Sequence, residues 1–302
     1  MTTIDDQAGQ AQPRRASPAP LRLLSCIRLD EVCVLQGAPV MGALFAIDSL
    51  SLALLLPFAL LVAGNLCLVG HVFVLNDWAG IATDARDPRR AADTFVARGT
   101  AAAEMAGLAL GLLAMALALL GALGTGAFVI GLLIALLSAA YSLGGKGVPV
   151  FNSLLHLAGG ALHFLLGTVA FTAISWPALA VSTFFGLVFA AGHFTHEARD
   201  HDGDRDNGIR TNAVAFGRQR GFFAGLVLFA ASYGLLMMLA LRGEVPAVLG
   251  AAALVAGTLH AAAALRAFRA DLTFEALRRL QGVYRVLHAI IGLTMLATVP
   301  PW

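Results

Sequence analysis

The chain has 302 residues, of which 59% are hydrophobic and only 13% charged, with a formal net charge of +2 and a mean hydropathy of +0.80. So much apolar surface cannot be hidden in one soluble core, which excludes a water-soluble globular enzyme, and so small a positive charge gives no footing for nucleic acid. An all-α integral membrane protein is expected, because only helices and closed barrels satisfy the backbone in lipid, and the long Ala/Leu/Val/Gly runs lack the alternation of barrel strands.

Residues 1–20 are polar and rich in Ala, Pro, Gln and Arg, without an apolar stretch that could act as a signal sequence; they read as a disordered tail ahead of a single membrane domain over 21–302. Apolar runs of spanning length then predict nine transmembrane helices, near 31–48, 51–75, 99–121, 123–143, 150–174, 176–198, 219–241, 245–268 and 283–300. Nine spans put the amino-terminal tail and alternate loops on one side, and that side collects every Lys and Arg except Arg242. Short loops rich in these residues stay in the cytoplasm, so a multi-pass cell (inner) membrane protein with a cytoplasmic amino terminus is expected. Cys26, Cys33 and Cys67 have neither metal-ligand spacing nor an even count, and read as ordinary thiols.

Two acidic segments fall at the cytoplasmic ends of apolar runs. The first is Asn76-Asp77 with Asp84 and Asp87; the second is Asp200, Asp202, Asp204 and Asp206. If the second helix continues through its segment, Asn76, Gly80 and Asp84 stack on one face at about 6 Å intervals, and Asp200 and Asp204 stand in the same one-turn relation. Solvated loops would also place charge here, but these carboxylates are concentrated in two segments, interleaved with arginines and accompanied by glycines. Paired carboxylates of this kind suit a hard divalent cation bound to phosphate oxygens, so a magnesium-diphosphate site is the leading expectation.

On these residues the chain resembles the UbiA superfamily of intramembrane prenyltransferases, whose members carry Asn-Asp-x-x-Asp-x-x-x-Asp after the second helix and Asp-x-x-x-Asp after the sixth. The second motif matches as Asp200-His201-Asp202-Gly203-Asp204-Arg205, followed by Gly208, Thr211 and Gly217. In the first, Asn76, Asp77 and Asp84 fall on family positions, but Gly80 stands where the middle aspartate belongs. Tyr141-Ser142 and Lys146 resemble a further Tyr-Ser…Lys segment.

The resemblance implies a ring of nine helices around a central cavity, with the two aspartate-rich segments at its cytoplasmic end. It implies a Mg2+ site on Asn76, Asp77, Asp84, Asp200 and Asp204, and transfer of an isoprenyl chain from an isoprenyl diphosphate to a small-molecule or lipid acceptor such as a quinone precursor. Lys146, the only lysine, with Arg89, Arg90, Arg205 and Arg210, would bind the diphosphate, and Tyr141 would support an allylic cation or hydrogen-bond the diphosphate. Catalytic roles are thus expected of Lys146, Tyr141, Asp200 and Asp204. Loss of the aspartate at position 80 leaves three accounts open: compensation by Asp77 and Asp87 or by water, weaker binding of the first metal, and altered chemistry.

His193 and His196 precede Glu197 and Asp200 at helical spacings, so they could border an acceptor pocket or fill hydrogen-bonding roles. A transition-metal reading of this cluster lacks a third ligand. His156 and His163 share one side of the fifth span, and His71 lies near Asn76 in the second. Glu104 could be a proton acceptor or an arginine partner. Besides a prenyltransferase, a terpene cyclase using the same ionising site and a transporter remain in competition; the transporter lacks mid-span carboxylates and any obvious inverted repeat.

Overall fold

Helix length and small-residue contacts set the architecture. The computed structural model describes residues 19–47, 49, 51–85, 91 and 94–298, so residues 1–18 of the expected tail and Arg86, Asp87, Arg89 and Arg90 lie outside the described residues, while residues 19 and 20 already belong to a helix. Among the described residues every regular element is helical. In chain order these are α1 (Ala19–Ser25), α2 (Leu29–Val34), α3 (Gly37–Leu44), α4 (Leu55–Asp84), α5 (Ala102–Leu123), α6 (Thr125–Ser142), α7 (Phe151–Val169), α8 (Trp176–Asp206), α9 (Asn212–Phe216), α10 (Arg218–Leu241), α11 (Ala247–Arg269) and α12 (Phe274–Thr298).

Seven of them, α4, α5, α6, α8, α10, α11 and α12, are long and apolar enough to cross a membrane. The fifth predicted span appears as α7, nineteen residues long; Asn152, Ser153, His156 and His163 dilute its apolar character. The first predicted span differs most, since 31–48 is divided between α2 and α3. Pro39 has no N–H to give the carbonyl four residues back, so one continuous helix would lose a bond at Leu35. Gln36 holds the break, its Nε2 donating to Val32 O at 2.9 Å and its Oε1 accepting from Asn65 Nδ2 of α4 at 2.9 Å. The last helix begins nine residues before its predicted start, because Phe274-Glu275-Ala276-Leu277-Arg278-Arg279 is too polar to read as membrane yet is built of good helix formers.

Packing follows chain order: α4 lies on α5, α5 on α6, α6 on α7, α7 on α8, α8 on α10, α10 on α11 and α11 on α12, while α12 also meets α3 and α8. The short α3 is seated on α7 by two glycines. A Cβ on Gly42 would overlap Phe164 O, and one on Gly167 would overlap Pro39 O, so the two backbones approach as only glycine permits. One apolar cluster joins α8, α10, α11 and α12 through Phe222, Phe229, Leu236 and Leu249. A second joins α4 to α7 through Leu61, Leu68, Leu120 and Leu166.

Polar groups inside these helices are used for pairing. His71 Nδ1 donates to Ala109 O of α5 at 2.8 Å, which is a helix contact rather than a cavity lining. Glu104 takes the partner role: it caps α5 by accepting from Ala101 N at 2.8 Å and lies 3.7 Å from Arg22 Nη2 of α1. Cys26 is buried, and burial pushes its thiol up, so it is an inert core residue.

Candidate active site

A hydrocarbon core about 30 Å thick is crossed by about 20 helical residues. At 30 and 31 residues, α4 and α8 are about ten residues longer than that requirement. Their carboxyl-terminal turns carry Asn76, Asp77 and Asp84 of the first acidic segment and Asp200 to Asp206 of the second, which are therefore stiff helical extensions rather than loops.

On α4 the helix runs through Asp84, so Asn76, Gly80 and Asp84 do stack on one face. Asp77, seven residues before Asp84 and within electrostatic range of it, is held by an arginine. Both of its oxygens accept from Arg28, Oδ1 from Nη2 at 2.6 Å and Oδ2 from Nε at 3.0 Å. Arg28 sits between α1 and α2 in the left-handed region at φ 50°, 3.6 Å from Glu31 and over the ring of Phe73 at 5.7 Å. The fork neutralises Asp77 and ties the first two short helices to α4, so Asp77 is an ion-pair partner here. The carboxylate of Asp84 lies back over Gly80: a Cβ built on Gly80 would stand 3.1 Å from Asp84 Oδ2.

On α8, Asp200 and Asp204 are one turn apart, and Asp204 is buried. Asp200 accepts from its neighbour Arg199, at 2.7 Å from Nε and 2.8 Å from Nη2. Arg199 also donates from Nη1 to Gln281 Oε1 of α12 at 2.6 Å and lies 5.6 Å from the ring centre of Phe274. Asp202 faces another way and accepts from Arg218 at 2.5 Å, joining α8 to the start of α10. Arg205 and Asp206 are exposed and 3.5 Å apart. Arg210 is also exposed.

Lys146 lies in a tight turn, Gly145–Gly147, between α6 and α7, and is half-buried. Tyr141, the penultimate residue of α6, is within electrostatic range of Glu197, Asp204 and Asp200. Its ring meets His156 edge-on at 4.8 Å, and His156 stacks on His193 at 3.8 Å and 11°. His193 Nε2 is 3.1 Å from Glu197 Oε1, although the alignment falls short of a hydrogen bond and leaves Nε2 without one. His196 lies within electrostatic range of Arg199, Arg285 and Asp200. The structure thus brings Tyr141, His193 and the Asp200 to Asp204 face into one neighbourhood.

Sequence reasoning missed the network beneath it. Glu197, 4% exposed, accepts from Asn152 Nδ2 at 2.5 Å and from Asn212 Nδ2 at 2.9 Å. Asn212 Nδ2 also reaches Asn152 Oδ1 at 2.7 Å and Ser153 Oγ at 3.0 Å. The available signal was the placement of Asn152 and Glu197 in apolar helices, where polar side chains need partners.

Among the described residues no group of three or more His, Cys, Asp or Glu is arranged to hold a metal ion. Magnesium in phosphate sites takes most of its oxygens from the phosphates and water and uses only one or two carboxylates. Asp200 and Asp204 fit that demand by spacing, oxygen chemistry and position at the helix end. A groove of about 720 Å³ between α10 and α11 is lined by Phe222, Phe229, Tyr233 and His260; none of its lining groups is a carboxylate, and it is not part of this site.

A model of the UbiA prenyltransferase family matches residues 37–281. No curated protein matches the chain. Among solved structures, a UbiA homolog from Aeropyrum pernix K1 without ligand is 21% identical at a TM-score of 0.72, covering 90% of this chain and 98% of that one. A structure described for digeranylgeranylglyceryl phosphate synthase in membranes is 15% identical at a TM-score of 0.72, covering 93% and 98%. A UbiA homolog from Archaeoglobus fulgidus bound to GPP and Mg2+ is 16% identical at 0.68, covering 92% and 100%. At these identities the likeness is one of fold.

Proposed function

Because the chain belongs to the UbiA prenyltransferase family, we propose that it is a Mg2+-dependent intramembrane prenyltransferase, moving an isoprenyl chain from its diphosphate to a small-molecule or lipid acceptor. The observation that carries this reading is the carboxyl-terminal end of α8, where Asp200 and a buried Asp204 share one face beside Tyr141. The Archaeoglobus fulgidus homologs bound to GPP or DMAPP with Mg2+ support the choice of donor and cation. In this reading the nine predicted spans surround a central cavity, and both carboxylate segments and the amino terminus face the cytoplasm.

Asp200 and Asp204 would hold magnesium, with Asn76 and Asp84 supplying the ligands of the first segment. When bound, magnesium neutralises charge on the diphosphate and so eases its departure. Asp77, held by Arg28 as Asp200 is held by Arg199, stands beside Asn76 and Asp84 on α4. Lys146 and Arg210, joined by Arg89 and Arg90, bind the diphosphate oxygens, and Arg205 stands further out. The donor C1–O bond breaks with its electron pair leaving on the diphosphate, a bond forms from C1 to the acceptor, and the acceptor gives up a proton. The Tyr141 ring stabilises the allylic cation at C1, while His193 and His196 border the acceptor.

The test is purified protein with Mg2+ and a panel of isoprenyl diphosphates, with diphosphate release and lipid products measured with and without aromatic acceptors. Acceptor-dependent release with a prenylated product is expected. A cyclic product without acceptor would reassign the chain to the cyclase reading, and no release from any donor would overturn both.

A further inference from the structure

A carboxylate in the membrane-embedded part of a helix is costly unless every lone pair finds a donor. Glu197 accepts from two neutral amides, with His193 Nε2 3.1 Å from its Oε1, and both amides have a second engagement. The other hydrogen of Asn152 Nδ2 goes to Lys146 O at 3.1 Å. Asn212 Oδ1 accepts from Val150 N at 2.6 Å. The backbone from Lys146 to Val150 is therefore tied at both ends to side chains that converge on Glu197.

The loop needs such ties. Val150 is β-branched yet stands at φ 66° and ψ −51°, a conformation that costs about 1–3 kcal/mol and persists only where its surroundings impose it. At the other end Gly145 packs so closely that a Cβ would be 2.6 Å from Ala140 O. Glu197 is also one turn before Asp200 and two before Asp204 on the same face of α8.

We propose that Glu197 is a positioning residue: acting through Asn152 and Asn212, it fixes the turn that carries Lys146 in register with the carboxylate face of α8. The inference rests on the reading of Lys146 as a diphosphate ligand and adds the element that aligns lysine with carboxylates. Asn212 carries the register one segment further, because it follows Arg210 and Thr211 directly. One buried carboxylate then sets the cationic turn and the anionic helix end at once.

The experiment uses the full chain in lipid nanodiscs, with inorganic diphosphate and Mg2+ as the titrated probe. Glu197→Gln puts an amide against the two asparagine donors, and Asn212→Ala removes one bridge while keeping the carboxylate. Each is expected to weaken diphosphate binding about tenfold, as is Lys146→Ala, and the Glu197→Gln/Lys146→Ala pair should be no weaker than Lys146→Ala alone, because the two act through one contact. Amide hydrogen exchange at Val150 should accelerate in Glu197→Gln and in Asn212→Ala. Additive losses in the double variant, or unchanged binding and exchange in both folded single variants, would overturn the proposal. If the unsubstituted protein binds no Mg2+-diphosphate, the functional reading falls and the exchange arm alone decides the positioning role.

Discussion

Gly80→Asp restores a carboxylate at the family position and tests what Asp84 does. A Cβ on Gly80 would be 3.1 Å from Asp84 Oδ2 and 3.8 Å from its Cγ. Asp84 can rotate away, so the contact itself is relieved cheaply, but two carboxylates one turn apart remain about 5 Å from each other. At an effective dielectric near 20 their repulsion is about 3 kcal/mol; both positions are partly exposed, and screening reduces this to about 1–2 kcal/mol. The higher helix propensity of Asp over Gly returns only a few tenths. The metal-free variant should therefore melt lower, and Mg2+, which removes the repulsion, should bind about tenfold more tightly in the presence of diphosphate. Thermal unfolding with and without Mg2+, together with a calorimetric titration, measures both. Unchanged Mg2+ affinity would refute the assignment of Asp84 as a ligand and the account in which the site compensates for its missing aspartate.

Gly167→Ala should force α3 off α7 and cost about 3 kcal/mol as overpacking, read as a lower melting temperature; Gly107→Ala on α5, whose Cβ meets nothing within 4 Å, should be neutral or slightly stabilising. Arg28→Ala leaves Asp77, with 10% of its side chain exposed, without its fork, and should cost about 2 kcal/mol after allowance for the exposure of Arg28. Arg28→Lys should fall between, since it keeps the charge and loses the bidentate geometry, and unfolding in detergent compares all three.

Hydropathy made the helical membrane class legible, and the four-residue spacing of Asn76, Gly80 and Asp84 was compatible with a helix that continues beyond its apolar run, as α4 does. Hydropathy did not reveal the break at Gln36, because Pro39 acts through a missing hydrogen bond rather than through polarity. Nor did it reveal the polar start of α12. The Asp77 fork was hidden for a different reason: Arg28 is 49 residues away and reads as a topology signal until the fold pairs them. Glu197 likewise draws Asn152 and Asn212 from 45 and 15 residues away on two other helices. Spacing along one helix was readable; coincidence between helices required the packing.

The central claim is that the Asp200 to Asp204 face of α8 drives departure of the diphosphate. Diphosphate release from an isoprenyl diphosphate by Asp204→Ala, measured beside the unsubstituted protein at matched amounts extracted from membranes, tests it most directly. The account predicts release reduced at least about a thousandfold, as expected when a main electrostatic stabiliser of a leaving group is removed, with the protein still folded. Release within about tenfold of the unsubstituted protein would contradict it.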